Sequence, residues 1–209
     1  MIDVHAPEHR ISGRRDFFVH LFTITIGLLI ALGLENAAEA WHHRHQRNEA
    51  EATVREELRH NRQHLKETDF VLTKEIDSLT AAMAFLQARS AGKPASIAGI
   101  SLGYTMPHLE NASWRTANAI GVVQYMPYDL VQRLAEAYDD QDLLVQMQMD
   151  TLKSYVRLNS YVAANTDPSS LGEDQVRSAM VDVRNTMVQL GAMRDVRRDL
   201  ITSYDAALK

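Results

Sequence analysis

An uninterrupted apolar run near the N-terminus is the feature that most constrains how this chain can fold. From Phe17 to Leu34 the sequence reads FFVHLFTITIGLLIALGL, without a formal charge. As a helix this run would measure ~27 Å, close to the ~30 Å hydrocarbon core of a bilayer. Trp41 and the histidines after it suit the headgroup region. We therefore predict a short tail over residues 1–16, a transmembrane helix over 17–40 and an extramembrane domain over 41–209.

The basic residues that flank this run indicate its orientation. Arg10, Arg14 and Arg15 precede it, whereas Arg44 and Arg47 follow it. Because positive charge is enriched on the cytoplasmic side, this small excess favours a cytoplasmic N-terminus. We expect a single-pass protein of a bacterial inner membrane, with most of its chain in the periplasm.

The same region has a second interpretation as an export signal. Arg14-Arg15 resembles a twin-arginine motif, and Ala38-Glu39-Ala40 resembles a cleavage site. The apolar run is longer than the 7–15 residues of a typical signal core, which favours an anchor that is not cleaved.

One face of the predicted membrane helix carries small and polar residues. His20, Thr23, Gly27 and Ala31 recur at spacings of three, four and four. Such a face lets a second helix approach closely, and a threonine can hydrogen-bond across the contact. We predict that this face binds another membrane protein or a second copy of the chain.

Composition and motifs argue against several function classes. The formal net charge of −5 argues against nucleic-acid binding, and the absence of cysteine excludes thiol catalysis and disulfides. Glu57, His60 and His64 share a helix face, but a di-metal bundle needs a second such motif, so we interpret them as a solvated face. We find no catalytic motif, and we predict no enzyme activity, no cofactor and no metal.

A period-seven pattern of leucines follows the apolar run. No proline or glycine occurs between Glu35 and Ser90, which favours one continuous helix. The intervening seam positions include Asn61 and Thr68, so a self-contained leucine zipper is a poor account, and packing within a bundle explains the pattern equally well. The leucines of the helix seam are Leu58, Leu65, Leu72, Leu79 and Leu86.

The second half of the chain contains two further long helices. A loop over about 91–110 holds three glycines and two prolines, and a short helix follows from Ala112 to Val122. Pro127 then starts a helix that reaches about Ala164.

The last helix follows a turn over residues 165–169. Ser170 and Glu173 fit a capping box, and the helix runs to about Ala207. We predict an all-α fold, in which the N-terminal transmembrane helix continues into a long helix that packs with the two others as an antiparallel bundle.

Two sequence blocks resemble a family of uncharacterised bacterial single-span membrane proteins. The first block is Arg15–Glu35 with Trp41, and the second runs from Ser113-Trp114 through Gly121 to Met126-Pro127-Tyr128. The resemblance implies an N-terminal anchor and a helical extramembrane domain, and it implies no reaction. It also implies structural roles: Trp114 plugging one end of the bundle, and Gly121 allowing a tight turn before Pro127.

These observations favour contact over catalysis. We expect a membrane-anchored helical scaffold or accessory subunit that binds the bilayer and either a membrane-protein partner or itself. The alternative is a sensory or ligand-binding helical ectodomain that signals through a partner. A polar core pocket would favour the sensor, whereas a solid apolar core with an exposed apolar stripe would favour the scaffold.

Overall fold

The fold is all-α throughout the part of the chain that the computed structural model describes, which is residues 13–97, 100–163 and 170–209. The chain divides after Asn48 into two compact units, the second being Glu49–Lys209. Residues 1–12 of the predicted tail, residues 98–99 of the predicted loop, Ala164 and the turn over 165–169 lie outside the described residues. The helices are α1 (Arg14–Glu67), α2 (Asp69–Ser90), α3 (Ala112–Ala119), a 3-10 helix (Val122–Tyr125), α4 (Tyr128–Ala163) and α5 (Glu173–Ala207).

The first unit contains the apolar part of α1. Every side chain from Phe17 to Leu34 is exposed, and this stretch is long and apolar enough to cross a membrane. The threonine hydroxyls bond within the helix, since Thr25 Oγ1 donates to the Leu21 carbonyl at 2.8 Å. The threonine hydroxyls of this stretch are therefore satisfied without water, as a lipid environment requires.

The second unit is an antiparallel bundle. Near the start of this unit, Arg55 Nη1 donates to the Ala207 carbonyl at 3.4 Å, and at the far end Arg89 Nη2 lies 3.5 Å from the Leu171 carbonyl. The chain of α5 thus runs opposite to α1 and α2. Helix α4 also packs against α5 with opposite polarity, and the predicted antiparallel arrangement of the long helices is confirmed.

The core of the bundle forms along the leucine seam. Relative exposure is 0% for Leu58, Leu65 and Leu79, 2% for Leu72 and 4% for Leu86. Spacing by seven places these side chains on one face, and α5 contributes Leu190, Leu200 and other apolar residues to the same cluster. Burial of this face provides the main driving force for assembly of the bundle.

A break at Thr68 interrupts the helix that the sequence predicts to be continuous. Helix α1 ends at Glu67 and α2 begins at Asp69. Thr68 Oγ1 donates to the His64 carbonyl at 2.8 Å, and such back-bonding bends helices. Arg197 Nη2 donates to the Leu65 carbonyl at 2.6 Å, which gives this carbonyl a partner at the break.

The loop between α2 and α3 is an extended segment that lies along the bundle. We call residues 100–111 the strap. Its backbone bonds to α2 at Ser78 and Glu75 and then to α1 at Asn61, so it runs back toward the start of the unit. Its other side meets α4, where Asn159 donates to the Leu102 carbonyl at 2.9 Å. The strap therefore fills the groove between α2 and α4.

Two helix boundaries differ from the prediction. Helix α3 begins at Ala112 as expected but ends at Ala119, because Gly121 adopts the left-handed conformation with φ +73°. Helix α5 begins at Glu173, so the capping box predicted at Ser170 and Glu173 is wrong. Gly172 is the N-cap, and its backbone N–H donates to Gln175 Oε1 at 3.0 Å.

Candidate functional site

The predicted membrane-helix face is open in the first unit. His20, Thr23, Gly27 and Ala31 are all exposed, and no atom lies within 4 Å of a Cβ built on Gly27. Thr23 Oγ1 donates to the Val19 carbonyl at 2.9 Å, and His20 Nδ1 lies 3.0 Å from the Asp16 carbonyl. The structure therefore places the four residues on a free, narrow surface whose polar groups already have partners in α1.

The residues after the apolar run include an exposed aromatic pair. The Trp41 ring stacks on His45 with centroids 6.0 Å apart, and Trp41 is 71% exposed. An indole with its N–H toward water is typical of the boundary between hydrocarbon and headgroups.

Four buried polar residues line the side of the leucine seam that faces the strap, and we call them the polar seam. Ser78 Oγ donates to the Ser101 carbonyl and accepts from the Ser101 N–H, both at 2.7 Å. Glu75 Oε1 accepts from the Thr105 N–H at 2.7 Å. These bonds supply partners that an extended backbone lacks when no second strand is present. The polar seam consists of Glu57, Asn61, Glu75 and Ser78.

Glu57 fixes the start of α3. Its carboxylate accepts the backbone N–H of Ser113 at 2.7 Å and that of Trp114 at 3.4 Å, two of the donors left free at a helix N-terminus. Tyr138 OH donates to Glu57 Oε1 at 2.5 Å, and burial followed by this carboxylate raises the pKa of Tyr138 well above its usual range. The buried Glu57 carboxyl group is thus held by three donors.

Of the sequence-predicted residues Trp114, Gly121 and Pro127, Trp114 contacts this carboxylate cap, and the other two lie at the turns that follow α3. Trp114 is half-buried against the core, and its ring stacks on Tyr138 with centroids 5.3 Å apart. Gly121 makes the turn into the 3-10 helix. Pro127 directly precedes α4, and its carbonyl accepts from Leu130 and Val131 at 3.1 Å. These residues lie together at the α3 end of the bundle.

Asn61 joins three elements. It donates to the Glu110 carbonyl at 2.7 Å, accepts from the Glu110 N–H at 2.8 Å and donates to Gln141 Oε1 at 3.1 Å. Tyr204 OH donates to the same Gln141 oxygen at 2.6 Å. Burial raises the pKa of Tyr204, so this hydroxyl remains a neutral donor. The network ties α1, the strap, α4 and α5 together.

The centre of the bundle contains an arginine that the sequence analysis missed. Arg197 is buried, and burial lowers its pKa, although Asp69 and Glu75 oppose that shift. Burial likewise raises the pKa of Glu75, against the effects of its bond from Thr105 and of Arg197. Glu75 and Arg197 each favour the charged form of the other, and Arg197 also donates to Thr68 Oγ1 at 3.2 Å at the break.

The interpretation of Glu57, His60 and His64 as a shared solvated face requires correction. Glu57 is buried and bonds to α3, whereas His60 Nδ1 lies 3.2 Å from Glu110 Oε1 near the surface. The two side chains have different surroundings, because Glu57 lies on the buried seam side of α1 and His60 lies near the surface. Among the described residues, no group of three His, Asp or Glu side chains has the arrangement of a metal site.

Helix α4 carries an apolar surface that the bundle does not cover. Met149, Leu152 and Val156 are 44%, 37% and 64% exposed and recur at spacings of three and four, so they form one stripe, the α4 stripe. Met106 of the strap is 42% exposed, and the carbonyl of the next residue, Pro107, accepts from Gln148 on the adjoining turn of α4. The result is an outward apolar surface beside the strap.

A signal for the polar seam was present in the sequence. Asn61, Thr68 and Glu75 follow each other at intervals of seven, in step with the leucines. A polar residue repeated at core positions predicts a polar neighbour. That the neighbour is an extended backbone could not be read from periodicity.

No family model, curated protein or solved structure matches the chain. The resemblance to uncharacterised single-span membrane proteins thus stays a prediction. The fold and the site define the class of protein: an all-α bundle whose N-terminal helix is apolar enough to cross a membrane.

Proposed function

We propose that the protein is a membrane-anchored helical scaffold or accessory subunit, which acts by binding another membrane protein or a second copy of itself. Residues 17–40 hold the chain in the bilayer, and the second unit offers the binding surface. The proposal includes an inner-membrane location with the second unit in the periplasm.

The observation that carries the proposal is the α4 stripe. Met149, Leu152 and Val156 lie beside the buried face of α4, which includes Gln148, Tyr155 and Leu158, so the stripe stays exposed when the bundle is closed. Each large apolar side chain buried at a contact contributes about 1.5–3 kcal/mol. An outward apolar stripe on a well-packed helix is typical of a contact surface.

The buried polar side chains support a role in contact rather than catalysis. Glu57, Asn61 and Ser78 bond to the backbone of the strap or of α3, and Gln141 bonds to Asn61, Glu110 and Tyr204. Groups engaged in this way position backbone. A reacting centre instead needs a nucleophile or base directed at open space.

The open face of the membrane helix supports the anchoring part of the proposal. Gly27 and Ala31 leave room beside α1 for another helix to approach. Close approach is the main source of attraction between helices in lipid, because apolar side chains gain nothing there from leaving water. A partner within the membrane is therefore compatible with contact along the α4 stripe.

Site-directed photo-crosslinking tests the proposal. A photo-reactive amino acid at Val156 in the tagged full chain, irradiated in the native membrane and purified in gentle detergent, should give one discrete crosslinked species. Mass spectrometry then identifies it as a second copy or as a different membrane protein. Recovery of a lone monomer would contradict the proposal.

A charge-matched pair of variants provides the control. Leu152→Glu with Val156→Glu should reduce recovery of the co-purifying chain at least about tenfold, because two apolar contacts are lost. Ser178→Glu with Thr202→Glu adds the same charge at exposed positions on α5, outside the stripe, and should leave recovery unchanged. Equal loss in both pairs would mean that charge alone, and not the stripe, governs binding.

A further inference from the structure

An apolar cavity of about 260 Å³ lies at the end of the second unit where the strap leaves α2. Its wall is formed by Ala82, Phe85 and Leu86 of α2, by Ile100 and Leu102 of the strap, and by further residues of α4, α5 and the segment before α5. The volume is slightly below the roughly 300–1,000 Å³ of typical ligand pockets. The cavity therefore suits one slender apolar group.

The polar side chains in the wall are already engaged. Asn159 Nδ2 donates to the carbonyls of Leu102 and Tyr155, both at 2.9 Å. Tyr161 OH donates to Asp182 at 2.7 Å, and burial followed by this bond raises the pKa of Tyr161 to about 12, so the hydroxyl stays neutral. Among the residues that the structure describes, those that line the cavity are uncharged. The interior thus selects against sugars, nucleotides and free amino acids.

An arginine lies next to the wall of this cavity. Arg89 follows Ala82, Phe85 and Leu86 at the spacing that continues their face of α2 by one turn. Its Nη2 lies 3.5 Å from the carbonyl of Leu171, another residue of the wall. Its Nε is buried without a hydrogen-bond partner, and among the described residues it forms no ion pair. A buried guanidinium N–H without a partner can take an anionic oxygen as its hydrogen-bond acceptor.

We infer that the cavity binds a single-chain fatty acid, with the alkyl tail inside the apolar wall and the carboxylate on Arg89. Two independent observations carry this inference: an uncharged cavity of single-chain size, and an unpartnered guanidinium donor at its edge. Burial of the tail provides the driving force, and the ion pair selects the acidic head. The inference goes beyond the scaffold role and does not depend on it.

Photo-labelling of the full chain in lipid nanodiscs tests the inference. The probe is dodecanoate with a photo-reactive diazirine in its tail, and labelled peptides are mapped by mass spectrometry. We expect labelling of the α2, α4 and α5 peptides that line the cavity. Unlabelled dodecanoate should compete about tenfold better than uncharged dodecanol, because a charged hydrogen bond distinguishes them. Labelling confined to Phe17–Leu34, where the probe meets the α1 segment in the bilayer, would overturn the inference.

Variants separate the tail site from the head site. Ala179→Leu fills the cavity, so it should remove the cavity labelling while labelling of Phe17–Leu34 stays constant. If this variant folds poorly, Ala82→Leu repeats the test from the α2 side of the cavity. Arg89→Gln should abolish the preference for dodecanoate over dodecanol. Arg198→Gln removes an exposed arginine far from the cavity and should behave as the natural chain.

Two further outcomes would also overturn the inference. Cavity labelling that persists in both filled variants, each shown to be folded by circular dichroism, would place the probe elsewhere. Equal competition by dodecanoate and dodecanol in the natural chain would show that the acidic head is not recognised, and the fatty-acid assignment would fall.

Discussion

Several buried polar side chains in this protein form hydrogen bonds that hold backbone segments in place. Glu57 is the clearest example, since its carboxylate caps α3 and accepts from Tyr138. The seam leucines and the half-polar character of the seam follow from sequence spacing alone. Sequence spacing does not reveal which backbone the polar residues bind, because the partner of Glu57, Ser113, is 56 positions away.

Glu57→Gln tests the importance of the carboxylate cap. The amide keeps one acceptor but loses the negative charge at the N-terminus of α3, so we expect the free energy of unfolding to fall by about 1–3 kcal/mol. Urea denaturation of the full chain in detergent, followed by tryptophan fluorescence, measures this change. Glu56→Gln removes a neighbouring exposed carboxylate and should change stability by less than about 0.5 kcal/mol. Similar losses in the two variants would mean that the cap has no special role.

Glu75 predicts a pH dependence of stability. Because burial raises its pKa above the usual 4.5, the folded chain binds this proton more tightly than the unfolded chain does. Its contribution to stability is therefore present below about pH 4.5 and is lost as the pH rises through the raised value.

The measurement is urea denaturation from about pH 4.5 to pH 7. The decline in stability that Glu75 causes should disappear in Glu75→Gln and persist in Asp77→Asn, which changes an exposed acid on the same helix. An unchanged slope in Glu75→Gln would exclude the effect.

At the scale of elements, the strap is the least predictable part. Its glycines and prolines predicted a long connection, and the apolar residues Ile100 and Leu102 are half-buried as parts of the packed structure. The break at Thr68 was equally hidden, because threonine is unremarkable in a helix and its effect depends on Arg197 across the bundle. Helix limits set by local chemistry were predictable, such as the start of α3 and the end of α5.

Hydrogen exchange tests how the polar seam holds the strap. The amides of Ser101, Thr105 and Glu110 should exchange slowly although they lie outside any helix, because each donates to a buried side chain. In Asn61→Ala the Glu110 amide should exchange roughly 5–30-fold faster. The Ser101 amide, held by Ser78, should be unaffected and serves as the internal control, and Arg59→Ala, at an exposed position that pairs with Glu56, should leave both amides unchanged. Fast exchange of all three in the natural chain would contradict the structure of the strap.

At the scale of the whole molecule, the absence of cysteine makes the topology directly testable. Single cysteines are introduced by Ser12→Cys in the N-terminal tail and Ser160→Cys on the exposed side of α4. With a membrane-impermeant maleimide on spheroplasts, Ser160→Cys should react at once, whereas Ser12→Cys should react only after lysis. The reverse pattern would invert the proposed orientation, and reaction of both in intact spheroplasts would exclude the span.

The order in which the chain is made has a consequence for how the bundle closes. Arg197 and the Leu65 carbonyl are separated by 132 residues, and the Arg55 contact with Ala207 by 152. At about 5–20 residues per second, the ribosome delivers Arg197 roughly 7–26 s after Leu65. During this interval the seam leucines and the strap have no α5 to cover them. Folding of the protein thus includes an interval in which the apolar seam is uncovered, and a chaperone that binds the seam during this interval would protect it from aggregation.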